Sequence, residues 1–325
     1  MSIATKIQTI KGIKEDIRQA IDSKNVACPV GTPFGQYASK IGEISGQGGG
    51  LQLDSDGHYS GRIYVPNIVT KIGDSMFASC ENLTGVEMHD GVTQIGKNAF
   101  RGCTSLESVN LSNALTKIGD SSFYMCTSLE GIGFPDSLQT IYDAAFYGCE
   151  SLQSIYIPRQ AQISGRSIFA GCIGLESMEV DEDNPYVDSR DNCNAIIDTS
   201  TNTLLSGCKN TIIPRSVTTI GNGAFQGIST LTSITIPEGV AEIRMDAFIL
   251  TGLTSITLPG TIASIDQSSF AGLGLELTCL ATTPPIYHAD IMSDFSHVYV
   301  PPESFYAYRS AQGWSVYASV IEPII

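Results

Sequence analysis

The chain has 325 residues, of which 42% are apolar and 16% are charged, and this composition excludes an intrinsically disordered polymer. Its 33 acidic and 18 basic side chains give a net charge of −15, which excludes a nucleic-acid-binding body because such a surface repels phosphate groups. No uninterrupted apolar stretch approaches the roughly 18 residues of a bilayer-spanning helix, so the sequence predicts no membrane span.

Residues 1–45 form the first predicted unit, a pair of helices. The first helix carries an apolar seam at helical spacing, made of Ile3, Ile7, Ile10, Ile17 and Ile21. Thr32 and Pro33 fit the N-cap and the first position of the second helix. Isoleucine seams suit the association of three or more helices, so this module is expected to anchor the chain to other subunits and allows a homotrimer. Alternatively, the two helices pack on each other. Residues 46–57 follow as a Gly-rich linker and turn.

A repeat of 23 residues begins after this linker. Phenylalanines mark it at regular spacing, with one interval of 56 residues, at Phe77, Phe100, Phe123, Phe146, Phe169, Phe225, Phe248 and Phe270. A cysteine stands three residues after each of the first five. Repeats of this length indicate a solenoid, in which each unit buries its apolar side against its neighbours.

Each repeat contains two apolar residues separated by one outward residue, the pattern of a short strand with one buried face. Eleven such pairs run from Ile63/Val65 to Val298/Val300, and Thr278/Leu280 is the tenth. A second short extended piece, such as Lys71-Ile72-Gly73, precedes each phenylalanine. Residues 58–281 are therefore predicted to form a repeat solenoid, mainly β, of about 11 rungs and about 48 Å in length.

The 56-residue interval contains one expanded repeat, with a predicted β-hairpin insertion at residues 181–210. If its turn is centred on Ser200 and Thr201, Cys193 and Cys208 face each other and are a possible disulfide. The five cysteines of the repeat are instead predicted to be buried free thiols. Later units place Ile228, Thr251 and Leu273 at their position, which marks it as a packing position.

Residues 282–325 form the last predicted unit, a capping segment. Aromatic side chains cluster there, at Phe305, Tyr306, Tyr308, Trp314 and Tyr317. They fit either an aromatic ligand box or a cap whose rings point inward. The open end of a solenoid must be covered, so the cap is the favoured interpretation.

The run Val92-Thr-Gln-Ile-Gly-Lys-Asn-Ala-Phe-Arg-Gly-Cys-Thr-Ser-Leu-Glu-Ser-Val109 resembles the BspA-type leucine-rich repeat, as do residues 184–217 and 297–314. The resemblance covers about residues 58–325. It implies surface-exposed adhesins and host- or matrix-binding proteins, with no catalysis and no cofactor. The N-terminal module, through Pro29-Val-Gly-Thr-Pro-Phe-Gly-Gln-Tyr-Ala38, resembles a small module at the ends of bacteriophage tail and other virion proteins.

No pattern in the chain predicts catalytic residues or a metal site. The four histidines, His58, His89, His288 and His297, lack metal-ligand spacing, and no nucleophile, phosphate-binding or dinucleotide motif occurs. The fragments at residues 54–57 and 181–184 are calcium-like but lack the distal glutamate of an EF-hand loop, so ordinary turns explain them. We expect no enzymatic activity.

The outward residues of the rungs form a column on one continuous sheet face, which is the candidate ligand-binding face. Its members are Tyr64, Glu87, Asn110, Tyr156, Glu179, Thr235 and Thr257. Small neighbours such as Ser108 and Ser154 leave the tyrosines accessible, and tyrosine suits contacts with protein or sugar. The alternative for any one of these residues is a solvated sheet position.

These features predict a non-enzymatic binding or adhesion protein. We expect a bacteriophage tail or virion component that presents its repeat surface to a protein or glycan of a host cell. The alternatives are a structural decoration or spacer protein of the particle, and a bacterial cell-surface adhesin. The first 25 residues lack the apolar stretch of a secretory signal. We therefore expect synthesis in the bacterial cytoplasm without a signal peptide, and a final location in the virion or at an extracellular surface.

Overall fold

The computed structural model describes residues 52–53, 58–288 and 295–325. The predicted helical module of residues 1–45, with Ile3, Ile7, Ile10, Ile17 and Ile21, lies outside the described residues, as does most of the linker.

Short β-strands make up most of the regular structure. The strands before the hairpin turn are β1 Gln52–Leu53, β2 Tyr59–Tyr64, β3 Lys71–Ile72, β4 Leu83–Glu87, β5 Gln94–Ile95, β6 Ser108–Asn110, β7 Lys117–Ile118, β8 Thr140–Ile141, β9 Ser154–Ile157, β10 Gln162–Ile163, β11 Ser177–Val180, β12 Val187–Asp188 and β13 Ala195–Asp198. The later strands are β14 Thr203–Gly207, β15 Thr219–Ile220, β16 Glu242–Ile243, β17 Ser255–Leu258, β18 Ser264–Ile265, β19 Glu276–Cys279, β20 Ile286–Tyr287, β21 His297–Val300 and β22 Ile321–Pro323.

Each rung contributes one longer strand and one two-residue strand, and equivalent strands of successive rungs pair in parallel. The longer strands form three sheets, β1-β2-β4-β6, β9-β11 and β17-β19-β21-β22. The two-residue strands form β3-β5-β7-β8-β10 and, after the insertion, the run β15-β16-β18-β20. This arrangement confirms the predicted solenoid of about 11 rungs.

The core consists of ladders of identical side chains, because every unit places the same residue at the same height. The rings of Phe77, Phe100, Phe123, Phe146 and Phe169 stack with centroids 5.1–5.5 Å apart and planes within 11°. The stack resumes from Phe225 to Phe270. Each Phe is flanked by turn positions with positive φ, two residues before it and two residues after it, as at Ser121 and Met125. Glycine occupies many of these positions because it adopts that conformation without steric cost.

The repeat cysteines are buried free thiols, as predicted. Each one from the second unit onwards donates to the carbonyl oxygen of the phenylalanine of the preceding unit. Cys103 Sγ lies 3.0 Å from the Phe77 oxygen, and Cys126 Sγ lies 3.2 Å from the Phe100 oxygen. Cys149 and Cys172 repeat this contact at 3.2 Å. The thiol column therefore bonds each rung to the previous one.

The predicted inward pair of the tenth rung was wrong by one residue. In β19 the buried residues are Leu277 and Cys279, whereas Leu280 is exposed and Thr278 points outward. Leu277 pairs with Ile256 of the preceding rung. Both alternations of residues 277–280 are apolar enough to be buried. The short spacing from Leu275 to Leu277 places the strand one residue earlier than in the units before.

The hairpin of the insertion consists of β13 and β14, and its register corrects the proposed disulfide. Cys193 and Cys208 are both free thiols. A β-bulge between Ile196 and Ile197 shifts the pairing, so that Ala195 lies opposite Gly207 rather than opposite Ser206. The two cysteines therefore do not face each other, since neighbouring strand residues point to opposite faces. The Cys208 thiol lies 3.5 Å from the Asn194 oxygen instead.

The hairpin separates two hydrophobic cores. One core runs from Ile63 to Val187 and includes Ile196 and Cys208 from the hairpin. The other includes Cys193 and Ile197 and continues to Ile321. Adjacent hairpin residues thus alternate between the two cores.

A short helical segment covers the C-terminal end of the second core. It comprises a 3-10 turn at Pro302–Ser304, helix α1 at Phe305–Ser310 and a second 3-10 turn at Ser315–Tyr317. Tyr308 and Trp314 are completely buried, and Tyr317 is nearly so. The Tyr308 hydroxyl donates to the Ala281 carbonyl at 2.8 Å, and the Trp314 indole donates to the Pro285 carbonyl at 2.8 Å. Tyr306 is 81% exposed, so the expected inward orientation is wrong for this ring.

Candidate functional site

The strand pairing brings most of the predicted ligand-binding residues into columns. Tyr64, Glu87 and Asn110 are aligned in β2, β4 and β6. Tyr156 and Glu179 are aligned in β9 and β11. We call the surface formed by the outward residues of the longer strands the outer face.

The last two predicted residues lie beyond the hairpin. Thr257 is aligned with Thr278 and Tyr299 in β17, β19 and β21. Thr235 is exposed and lies outside any strand. The structure therefore does not bring Thr235 and Thr257 together with the first five residues.

The outer face is less continuous than the sequence predicts. Between β6 and β9, residues 132–134 are not in a strand, and only a bridge from Ser108 to Gly131 remains. A second interruption covers residues 231–237. The two-residue strands still pair past the first interruption, since β7 pairs with β8 and β8 with β10.

Asn110, Tyr156, Glu179, Thr235 and Thr257 are exposed, whereas Tyr64 and Glu87 are half-buried. Tyr156 is the most prominent of the tyrosines, with 48% of its surface exposed. The outer face thus offers an exposed aromatic ring among small and acidic side chains.

Arg62 is a member of the outer face that the sequence analysis missed. Its guanidinium lies across Gly85, where a Cβ atom would be 2.9 Å from Arg62 Cζ. The same group forms an ion pair with Glu87 and donates to the Ser108 hydroxyl at 3.0 Å. The available signal was Gly85 itself, since the same position carries serine in three later units.

Around Tyr156, hydrogen bonds fix the acidic side chains. The Tyr156 hydroxyl donates to Asp181 Oδ2 at 2.8 Å, and the Asp183 amide donates to Asp181 Oδ1 at 3.0 Å. These two bonds, that of Tyr156 first, hold the pKa of the Asp181 carboxyl below its usual range. Arg159 pairs with Asp183 at 3.3 Å. Asp181 is therefore held as an anion beside an exposed ring.

Asn184 explains the calcium-like fragment of residues 181–184. It is buried, its amide group donates to the carbonyls of Pro158 and Ala161 at 2.8 and 2.9 Å, and its oxygen accepts from the amides of Tyr186 and Val187. This side chain joins the insertion to the preceding rung and forms an ordinary turn. Within residues 58–288 and 295–325, no group of three or more His, Cys, Asp or Glu is arranged to hold a metal ion.

The histidine with the best-defined contacts also belongs to a turn. His89 Nδ1 accepts from the Gly91 amide at 2.9 Å, and its Nε2 lies 3.0 Å from the Val69 carbonyl oxygen. His297 stacks on Tyr299 with centroids 6.0 Å apart. In the described part of the chain, no helix is both long and apolar enough to cross a bilayer.

The family profile for the BspA type leucine-rich repeat region matches residues 62–194 and 201–278, in six copies. The chain belongs to the BspA-type leucine-rich repeat family. The gap between the two matched ranges falls at the turn of the insertion hairpin, as expected for a unit that departs from the family repeat.

Three solved structures illustrate the similarity to other leucine-rich repeat proteins. A leucine-rich repeat protein from Eubacterium ventriosum is 26% identical, with a TM-score of 0.61 over 75% of this chain and 69% of that chain. The pneumococcal vaccine antigen PcpA, at 18% identity, has a TM-score of 0.62 over 84% and 82%. A leucine-rich repeat protein from Bacteroides ovatus, at 22% identity, has a TM-score of 0.56 over 82% and 72%. The last two show the fold alone. No curated protein matches this chain.

Proposed function

We propose that this BspA-type repeat protein is a non-enzymatic binding protein that recognises a protein or glycan on a cell surface through its outer face. The observation that supports the proposal most is the exposed row from Asn110 to Glu179, where Tyr156 stands among small side chains on an otherwise rigid rod. Solenoids commonly bind through such extended faces, and tyrosine supplies apolar area with a polar tip.

We further propose that residues 1–45 attach the rod to a larger particle, as a bacteriophage tail or virion component. The support for this step is the isoleucine seam and the resemblance of residues 29–38 to virion modules. In such a particle several rods would act together, so that weak contacts by each one add up to firm attachment. A decoration or spacer protein, and a bacterial cell-surface adhesin, are the competing roles.

The outer face is tested by the binding of the fluorescently labelled full chain to whole bacterial cells. We expect Asn110→Ala with Tyr156→Ala to reduce binding severalfold, because both exposed contact groups are lost. The matched control is Gln139→Ala with Gln162→Ala, which removes two exposed side chains at or beside the two-residue strands and is expected to bind like the unaltered chain. Equal binding by both double variants would contradict a role for the outer face.

The attachment step is tested by the chain that lacks residues 1–50. If this chain binds cells but no longer joins the particle, both parts of the proposal hold. If it binds only particle proteins, the spacer role is correct instead.

A further inference from the structure

The first interruption of the outer face forms a gap one rung wide. Gly131 and Gly133 point outward there, both are exposed, and a Cβ atom added to either would have no other atom within 4 Å. The rungs on either side present Asn110 and Tyr156. At the usual strand spacing these walls are about 10 Å apart, which is wide enough for one extended side chain.

The floor of the gap offers a free hydrogen-bond acceptor. Elsewhere on this face the residue that follows an outward position donates to the next rung, as Val65 does to Glu87 and Met88 does to Asn110. Among the backbone bonds of residues 58–288, Gly133 takes part in none. Its carbonyl group is therefore available to a donor from outside.

The wall of the gap favours a cation. The Tyr156 ring is exposed and its hydroxyl is fixed by Asp181, and an aromatic face attracts ammonium and guanidinium groups. Glu179 lies beside Tyr156 in the next strand, and Asp136 is close enough to act on Tyr156 electrostatically. Arg159 already pairs with Asp183, so these carboxylates outnumber the nearby cations.

We propose that the gap between Asn110 and Tyr156 accepts a lysine- or arginine-rich extended segment of a partner protein, with one basic side chain lying over Gly133 against the Tyr156 ring. This inference rests on the proposed function and selects a protein partner over a glycan. Neutral sugars gain nothing from the surrounding carboxylates, and acidic sugars are repelled by them.

The test uses the full chain and a fluorescein-labelled peptide of alternating lysine and glycine, followed by fluorescence anisotropy at low and physiological salt. We expect Gly133→Leu to weaken binding about tenfold, because its side chain fills the gap. Tyr156→Ala is expected to weaken binding by about fivefold through loss of the cation–π contact. Circular dichroism checks that Gly133→Leu is folded.

Two matched controls distinguish this site from diffuse attraction. Gly73→Leu adds the same side chain at a glycine with equally open surroundings beside the two-residue strands, and should bind like the unaltered chain. Glu303→Gln removes one charge on the cap, and should weaken binding less than Glu179→Gln. Equal effects within either pair, or no binding of the peptide by the unaltered chain, would overturn the proposal. Cell binding that survives Gly133→Leu would leave the proposed function standing and remove only this inference.

Discussion

Ser122 is the residue at which the core departs most clearly from its own pattern. Four other units place a buried alanine immediately before the ladder phenylalanine, at Ala99, Ala145, Ala224 and Ala247. The Ser122 hydroxyl is buried at that position, and no hydrogen-bond partner is present for it in the described residues. We expect Ser122→Ala to raise the free energy of unfolding by about 1 kcal/mol or more, since a buried unpaired hydroxyl is costly. Urea unfolding measures the change.

Ser269 provides the matched control, because it is a buried serine at the same position with partners. Its hydroxyl lies 2.5 Å from the Asp266 carbonyl oxygen and 3.1 Å from that of Arg244. Ser269→Ala should lower the free energy of unfolding by about 1 kcal/mol. Changes of the same sign in the two variants would show that the hydrogen bonds are not the cause.

At the scale of the element, the thiol column makes stability depend on alkaline pH. Burial, as the largest cause, raises the pKa of Cys103 and of Cys172 to about 12, from an ordinary value of 9.0. A raised pKa means that the folded state holds the proton more tightly than the unfolded state. The stability contributed by each thiol is therefore complete below about pH 9 and is lost as the pH rises towards about 12, by about 1.4 kcal/mol per pH unit.

This dependence is measured by urea unfolding between pH 8 and pH 11 on the unaltered chain and on Cys103→Thr with Cys172→Thr. Threonine is chosen because Thr251 occupies the equivalent position in a later unit, where its hydroxyl donates to the Phe248 carbonyl at 2.9 Å. The double variant should lose stability less steeply with pH. Parallel pH curves would assign the loss to other groups, such as tyrosines and lysines.

The elements also show what a repeat allows one to predict. The phenylalanine and cysteine columns follow from the 23-residue period alone, because equal spacing places equal residues at equal heights. The facing of Cys193 and Cys208 does not follow, since a single bulge at Ile196 reverses it. Likewise, the choice between Leu277 and Thr278 depends on one missing residue that apolar alternation cannot detect.

The candidate site was predictable only in part, for a related reason. Outward positions such as Tyr156 and Glu179 follow from alternation within a strand. Whether neighbouring strands pair at all depends on cross-strand packing, and the break at Gly133 is a property of two rungs together. Arg62 was missed because its contacts with Glu87 and Ser108 cross two rung spacings, a distance over which the sequence carries no periodic signal.

At the scale of the whole molecule, the hairpin divides the rod into two cores that should unfold separately. Gly207 seals the boundary, since a Cβ atom there would lie 2.2 Å from Cε1 of the Phe225 ring. One backbone bond still joins the two turn columns directly, from the Gly171 amide to the Gln226 carbonyl at 2.8 Å. Each half contacts mainly its own neighbours, as in other repeat proteins, whose cooperativity decreases with length.

We expect Phe123→Ala to destabilise the first core by about 3–5 kcal/mol, and Phe248→Ala to do the same to the second. Hydrogen exchange followed by mass spectrometry measures the two halves separately. Phe123→Ala should lower protection in residues 63–187 more than in residues 213–321, and Phe248→Ala should do the reverse. If either variant lowers protection equally along the rod, the two cores form one cooperative unit.

The bonds from each cysteine to the phenylalanine of the previous unit have a consequence for the history of the gene. Because every contact of this kind joins a unit to an identical site on its neighbour, a duplicated or deleted 23-residue block would find compatible surfaces on both sides. Recombination between copies could thus lengthen or shorten the molecule in whole steps. Lineages would then be expected to vary in the number of units on either side of the hairpin, while the hairpin itself stays single.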